Sequence, residues 1–443
     1  MTMKHYNYDR KDIRTGIVHF GVGNFHRAHL EYYTNLLLED PSQQEWGVFG
    51  AMIMPSDGKL YDALKEDDCV YKLSCCSPSG ETDIYNIGSL IDVEWGERDS
   101  ERIISAIASP DTKIITLTIT EGGYNVDLDK PKSVFWYVAE GLTERMKQNM
   151  PITILSCDNL QHNGNTARTS FMSYFKARYP ELAEWAENNV VFPNSMVDRI
   201  TPVTKSGKIT DVNCEDFVQW VIEDKFIAGR PQWEKVGVQF TNDVAPYENM
   251  KLSLLNGSHS LLCYGAYLDG YRKVDDVMAD ERYTRLLREF MNIDVTPFVP
   301  SPEGIDLENY KETLIQRFSN PVISDQVSRL CADGIARFAV YIVPTLKKML
   351  QAGMNTERLA FHFANYYKYL TRAVTESGEK IMIDEPHMSD TDRAIIERGD
   401  ILEFFNLTPF VCLDIKSYPE FITEYEFFIS QSVAEGLNHI FRN

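Results

Sequence analysis

Lys251, Asn256 and His259 stand five and then three residues apart in the segment MKLSLLNGSHSLL. On a helix turning 100° per residue, Asn256 lies about 140° and His259 about 80° around from Lys251, so all three share one half of the cylinder. Leu252, Leu254, Leu255, Leu261 and Leu262 make most of that helix apolar and therefore buried. Burial disfavours the ammonium form of a lysine and lowers its pKa. A lysine in that state takes a hydroxyl proton near neutral pH, and a nearby amide stabilises the alkoxide that forms. The residues also fit a plainer reading, a lysine at a helix N-terminus reaching water and a hydrogen-bonded core histidine.

A signal of another kind opens the chain. IVHFGVGNFHRAH reads as a strand running into a turn and a helix, the context that a dinucleotide fingerprint requires. Gly21 permits the tight turn, Gly23 lets the backbone approach a pyrophosphate at the helix N-terminus, and Val22, Asn24 and Phe25 complete the turn. His26 stands where the third fingerprint glycine belongs. Alone, a GxG after a strand also fits an ordinary strand-to-helix turn. The acidic residue expected at an adenosine ribose is Asp57, which lies 36 residues past Gly21 instead of the usual ~20. Spacing by itself favours a solvated loop aspartate there. If Asp57 sits at the ribose, its carboxylate repels a 2′-phosphate and NAD is preferred over NADP. A cofactor turn in the first half and a buried base in the second together suggest hydride transfer.

The elements that must position these residues change character along the chain. Candidate strands at 16–21, 47–54, 113–120 and 151–156 are separated by amphipathic stretches, which is the pattern of βαβ units and a mostly parallel sheet. IVHFGV, IITLTIT and ITILSC are nearly continuous in apolar and β-branched residues, as strands covered on both faces are. The more polar CCSPSGETDIYNIGSLIDVEW reads as a hairpin or antiparallel insertion. Glu121 in TLTITEGGYN, and Asp158, Asn159 and Asn163 in SCDNLQHNG, fall at the carboxyl ends of predicted strands, where open α/β sheets gather ligands. Turn chemistry accounts for the same residues equally well. From about Tyr247, helical periodicity takes over at 248–268, 283–291, 322–331, 345–352 and 356–370. The expectation is a Rossmann-type α/β domain over residues 1–243 and an all-α domain over 244–443.

Composition excludes several classes. A chain of 443 residues exceeds what one core usually serves. Lys plus Arg is 44 against 65 Asp plus Glu, a net charge of −21, which repels nucleic acid and anionic membrane. No apolar run reaches the ~18 residues of a membrane span, and the polar start MTMKHYNYDRKD offers no signal sequence. The eight cysteines are scattered, with no CxxC, and read as reduced, mostly buried thiols of a cytoplasmic protein. Neither HExxH nor paired CxxC occurs, which argues against a zinc site.

HFGVGNFHRAH, LTITEGGY, SCDNLQHNG, FPNSMVDRITP, FVQWVIEDKF with GRPQWEKVGVQF, and MKLSLLNGSH together resemble the polyol-specific long-chain dehydrogenases, the family of mannitol 2-dehydrogenase. These stretches span about residues 16–345 in the same order, and VDRITP with KxxxxNxxH is specific to that family. The resemblance implies that Lys251 is the general base, that Asn159 and Asn256 form the oxyanion pocket, that His259 orients the substrate and that Glu121 relays the proton to solvent. It places Asp198 beside substrate and nicotinamide, and Arg329 and Arg337 at the far end of a polyol. It aligns Asp57 with the acidic residue that favours NAD, and it implies a metal-independent enzyme, a monomer or weak oligomer, with its active site in the cleft between the domains. The sequence departs from the family's mannitol enzymes at Arg337, where they carry lysine. The expected reaction is therefore D-mannitol to D-fructose. A hexuronate reductase acting on fructuronate or tagaturonate, or a pentitol (D-arabinitol) dehydrogenase, keeps the same chemistry with another substrate. A non-catalytic nucleotide-binding protein is the reading from another class.

Overall fold

A computed structural model describes residues 2–202 and 207–442. The chain divides into two compact units, Met1–Ala245 and Pro246–Asn443.

In the first unit, six strands form one sheet: β1 (Thr15–Phe20), β2 (Gly47–Met52), β3 (Leu90–Trp95), β4 (Ile114–Leu117), β5 (Ile152–Ser156) and β6 (Val190–Val191). Their order is β3-β2-β1-β4-β5-β6 and every pairing is parallel. That is the strand order of a doubly wound dinucleotide-binding sheet, with its switch point between β1 and β4. Side chains alternate across a strand, so Ile17 and Val48 enter one core while Val18 and Phe49 enter the core on the other face. Both faces are covered, which is why these strands read as continuous apolar runs.

Two smaller sheets accompany it, and their short strands were not foreseen individually. One contains Thr2–Lys4, Thr82–Ile87, Tyr71–Cys76 and Val212–Glu215, and the other Ser195–Asp198, Gln219–Glu223 and Gln239–Thr241. The polar insertion is indeed a hairpin, with Tyr71–Cys76 antiparallel to Thr82–Ile87. Its tail differs from expectation, because Leu90–Trp95 returns to edge the main sheet as β3.

The second unit is helical, and among its described residues no strand occurs beyond two isolated bridges. The helix Glu357–Arg372 is buried from residue 357 to 370, as a helix wrapped on all sides must be. The stretch predicted as a helix at 322–331 begins only at Val327. The Asn320 carboxamide oxygen accepts from the Val322 and Ile323 N–H groups, and Ser324 adopts φ +45°, so the backbone before residue 327 is committed to a turn. No helix among the described residues is long and apolar enough to cross a membrane.

Candidate functional site

The turn after β1 is built for close approach. Gly21 has φ +97°, and a Cβ there would lie 2.0 Å from the Thr118 carbonyl oxygen, so only glycine fits. Gly23 donates its N–H to the Gly21 carbonyl at 2.7 Å and caps the short helix Asn24–Ala28. A Cβ on Gly23 would meet nothing nearer than 3.9 Å, leaving open space over the backbone. Val22 is buried, Asn24 accepts from Arg27 Nη2 at 2.7 Å, and the Phe25 ring stacks on His29. Such a turn leaves room for a pyrophosphate against main-chain N–H groups, and these residues therefore fit a dinucleotide.

His26, at the missing glycine's position, is fully buried and stacks on His19 of β1 with ring centroids 3.4 Å apart. Its Nε2 lies 3.0 Å from Glu31 Oε1. Burial drives both imidazoles well below their ordinary pKa and pushes the Glu31 carboxyl up to about 8, with the Ser89 hydroxyl opposing the latter shift. The third glycine is thus replaced by a neutral buried cluster that supports the turn from beneath. Sequence reasoning noted the substitution but not this role, whose signal was the spacing HxxxxxxH over a strand and a helix.

Asp57 closes a 3-10 turn, Pro55–Asp57, directly beyond β2, the strand next to β1. It is half-buried and accepts the Met54 N–H at 2.9 Å, and burial raises its carboxyl above the ordinary range. Glu121 begins the 3-10 turn Glu121–Tyr124 beyond β4, and Asn159 lies beyond β5, the strand beside it. Both are exposed at neighbouring carboxyl ends.

Asp158 organises this edge. Its carboxylate accepts the Ile119 and Thr120 N–H groups at 3.0 and 2.8 Å and the Tyr124 hydroxyl at 2.7 Å. Those two amides leave the ladder for Asp158, so β4 ends at Leu117, three residues short of the predicted strand end at residue 120. Thr120 is held at φ +63°. Burial raises the Asp158 carboxyl while these donors lower it. Asn163 is a clip: its amide donates to the carbonyls of Ser156, Asp158 and Ser195. Asp198 is buried at the end of Ser195–Asp198, and Arg199 follows it.

In the second unit, Lys251 and Asn256 are the first and last residues of a π-helical segment, Lys251–Asn256, which continues into the α-helix Gly257–Leu268. The Gly257 N–H bonds the Leu252 carbonyl, five residues back. This corrects the arithmetic of 100° per residue. In a π-helix the five-residue interval is little more than one turn, so Lys251 and Asn256 come onto one side instead of about 140° apart. Lys251 is 7% exposed and Asn256 9%. Periodicity could not reveal the wider turn, because its apolar pattern passes through both segments.

His259 is half-buried against the Phe318 ring, at 4.3 Å between centroids. The Asp325 carboxyl, which burial alone would raise, is held low by Arg329, with a smaller electrostatic contribution from His259. Arg329 grips Asp325 with both Nε (2.7 Å) and Nη2, and its own pKa is raised by that partner. Arg337 donates from Nη1 to the carbonyls of Arg329 and Leu330 at 3.2 and 3.0 Å. Asp325, Arg329 and Arg337 therefore form one chain of contacts, to which His259 is linked electrostatically through Asp325. Asp325 was missed; its signal was the i,i+4 acid–base spacing in DQVSR.

Comparison with known proteins adds likenesses in both sequence and structure. The family described as Mannitol dehydrogenase Rossmann domain matches residues 15–235, and that described as Mannitol dehydrogenase C-terminal domain matches residues 243–429. A polyol:NADP oxidoreductase of Gluconobacter oxydans is 37% identical over 91% of this chain and 90% of its own. A mannitol 2-dehydrogenase of Phaeosphaeria nodorum is 35% identical over 93% of this chain and 76% of its own. Among solved structures, Pseudomonas fluorescens mannitol 2-dehydrogenase in ternary complex with NAD and D-mannitol superposes with a TM-score of 0.85 at 37% identity, covering 100% of this chain and 97% of that one. A D-sorbitol dehydrogenase in substrate-free form gives a TM-score of 0.91 at 35% identity, covering 98% and 97%.

Proposed function

The chain belongs to the mannitol dehydrogenase family, and from that premise we propose that it interconverts D-mannitol and D-fructose with Lys251 as general acid/base. It is an NAD-dependent polyol dehydrogenase. Bound NAD supplies the hydride acceptor, and the residues suited to hold it are Gly21, Val22, Gly23, Asn24 and Phe25 of the turn, with Asp57 beyond the adjacent strand. Asp57 favours NAD because a second negative charge beside it is disfavoured.

In oxidation Lys251 takes the proton of a secondary hydroxyl at Nζ, and Asn159 and Asn256 donate N–H groups to the oxygen as it becomes an alkoxide and then a ketone. In reduction the protonated Lys251 returns the proton. His259 orients the substrate hydroxyls, Glu121 passes the proton to solvent, and Asp198 borders the reacting carbon. What carries this reading is the buried Lys251 and Asn256 bracketing one π-helical turn, since such turns concentrate at functional sites.

Arg329 and Arg337 meet the distal end of the substrate. Arg329 has its fork closed on Asp325, which neutralises it and favours an uncharged polyol over a uronate. Arg337 contacts carbonyls, so one cation remains for a fructuronate or tagaturonate, and this keeps the reductase reading in play. Initial rates with NADH or NADPH against fructose, fructuronate, tagaturonate, xylulose and ribulose separate the two. Fructose with NADH is expected to give the highest kcat/KM. Preference for a uronate would overturn the mannitol assignment, and NADH binding without turnover of any substrate would overturn catalysis itself.

A further inference from the structure

In the first unit, strands Tyr71–Cys76 and Val212–Glu215 pair in parallel with Cys214 directly across from Cys75. The two sulfurs are 3.7 Å apart, and the Cys214 thiol donates to Cys75. Arg199 Nη2 donates to the same Cys75 sulfur at 2.9 Å. The guanidinium is fixed there: Nη1 donates to the Ala28 carbonyl at 2.6 Å, Nε to the Glu215 carbonyl at 3.0 Å, and its face lies over the Tyr32 ring. Two donors, one of them cationic, thus converge on one sulfur. That environment favours a thiolate, the nucleophilic form of cysteine. None of the eight cysteines takes part in the dehydrogenase chemistry described above.

We propose that Cys75 is a modification site for hydroperoxides, and that Cys214 resolves the product into a Cys75–Cys214 disulfide. The Cys75 thiolate attacks one peroxide oxygen. The O–O bond breaks, hydroxide leaves, and the sulfur is oxidised to sulfenic acid while the peroxide is reduced. The Cys214 sulfur then attacks Cys75, the S–O bond breaks, and the departing hydroxide takes the Cys214 proton to leave as water. Neighbouring strands lie about 4.7–4.9 Å apart, inside the ~4.4–6.8 Å Cα range of disulfides, and side-chain rotation can bring the sulfurs to bonding distance. The pair is also asymmetric in the required sense. The Cys214 hydrogen bond, with the Arg199 charge, lowers the Cys75 pKa against the effect of burial, whereas burial drives Cys214 well above its ordinary value.

Cys412 provides the internal control, because it alone of the eight cysteines is exposed. The full-length reduced protein is treated with limiting hydrogen peroxide, alkylated, and mapped by mass spectrometry without reduction. The expected product is a Cys75–Cys214 cross-linked peptide that forms while Cys412 is still recovered as an alkylated thiol, and that dithiothreitol reverses. In Cys214→Ser the resolving step is absent, so dimedone captures a sulfenic acid at Cys75. In Cys75→Ser, Cys214 stays alkylatable throughout. Oxidation of Cys412 with Cys75 and Cys214 both recovered as thiols overturns the proposal, as does oxidation of Cys214 in the Cys75→Ser protein. The native map decides the matter even if either variant fails to fold.

Discussion

The two units carry their polar residues by opposite means. In the first, Gly21, Asp57, Glu121 and Asn159 hang on turns beyond four neighbouring parallel strands, so strand register and turn backbone place them. In the second, Lys251, Asn256 and His259 ride one continuous helix, and helical phase alone sets where they point. A turn tolerates little change in backbone but much in sequence length around it. A helix tolerates side-chain change but not a shift of phase. The π segment shows how far this goes, since one widened turn moves Asn256 relative to Lys251 without altering any side chain.

The largest effect belongs to the helix. Lys251→Ala is expected to lower kcat by about 10²–10⁴, the usual contribution of positioned proton transfer, while NADH binding, read by fluorescence titration, stays near the parent value. Unchanged turnover would remove Lys251 from the mechanism. Phase itself is tested by deleting Ser253, which lets the π segment close to an ordinary α-helix. The protein should fold, with kcat down by about 10²-fold from misplacement of Lys251 against Asn256. Retained activity in a folded deletion variant would show that helical phase does not matter here.

On the strand side, Gly21→Ala forces a methyl group into the Thr118 carbonyl and an L-residue into φ +97°. The expected cost is about 1–3 kcal/mol, seen as a lower Tm and weaker NADH binding with kcat less affected. Beneath that turn, the Glu31 carboxyl titrates at about 8 in the folded protein because burial raises it above 4.5. A raised folded-state pKa means that the folded chain holds a proton the unfolded chain has released. The stability from Glu31 is therefore complete below pH 4.5 and is lost as pH rises through about 8. Tm measured from pH 5 to 9 should fall more steeply for the parent than for Glu31→Gln; parallel curves would contradict the assignment. The smallest expected effect is Asp325→Asn, which frees the Arg329 fork. KM for fructose should change by only a few-fold, with relative activity on uronates rising, as initial rates would show.

Much of this was legible in residue order, for a physical reason. Strands buried on both faces must be continuously apolar, so β1, β2, β4 and β5 announced themselves, and GVGN after a strand announced the turn. The short strands Ser195–Asp198 and Val212–Glu215 did not, because SMVD and VNCE mix polar and apolar residues and offer neither a continuous apolar run nor room for a period. Lys251, Asn256 and His259 could be singled out by type and spacing because local periodicity carries that information.

Specific hydrogen bonds and side-chain contacts, several of them long-range, decided the rest. The end of β4 depends on Asp158, whose carboxylate takes the Ile119 and Thr120 amides from 39 and 38 residues away. The start of the helix at Val327 depends on the Asn320 side chain. The wider turn between Lys251 and Asn256 has no sequence signature, because α- and π-helices bury the same leucines. The contacts of Cys75 with Cys214 and Arg199 join residues more than a hundred positions apart. Composition and local order determined the fold class, the cofactor turn and the candidate base. Only tertiary structure determined which hydrogen bonds the backbone gives up, and therefore where elements stop and which side chains meet.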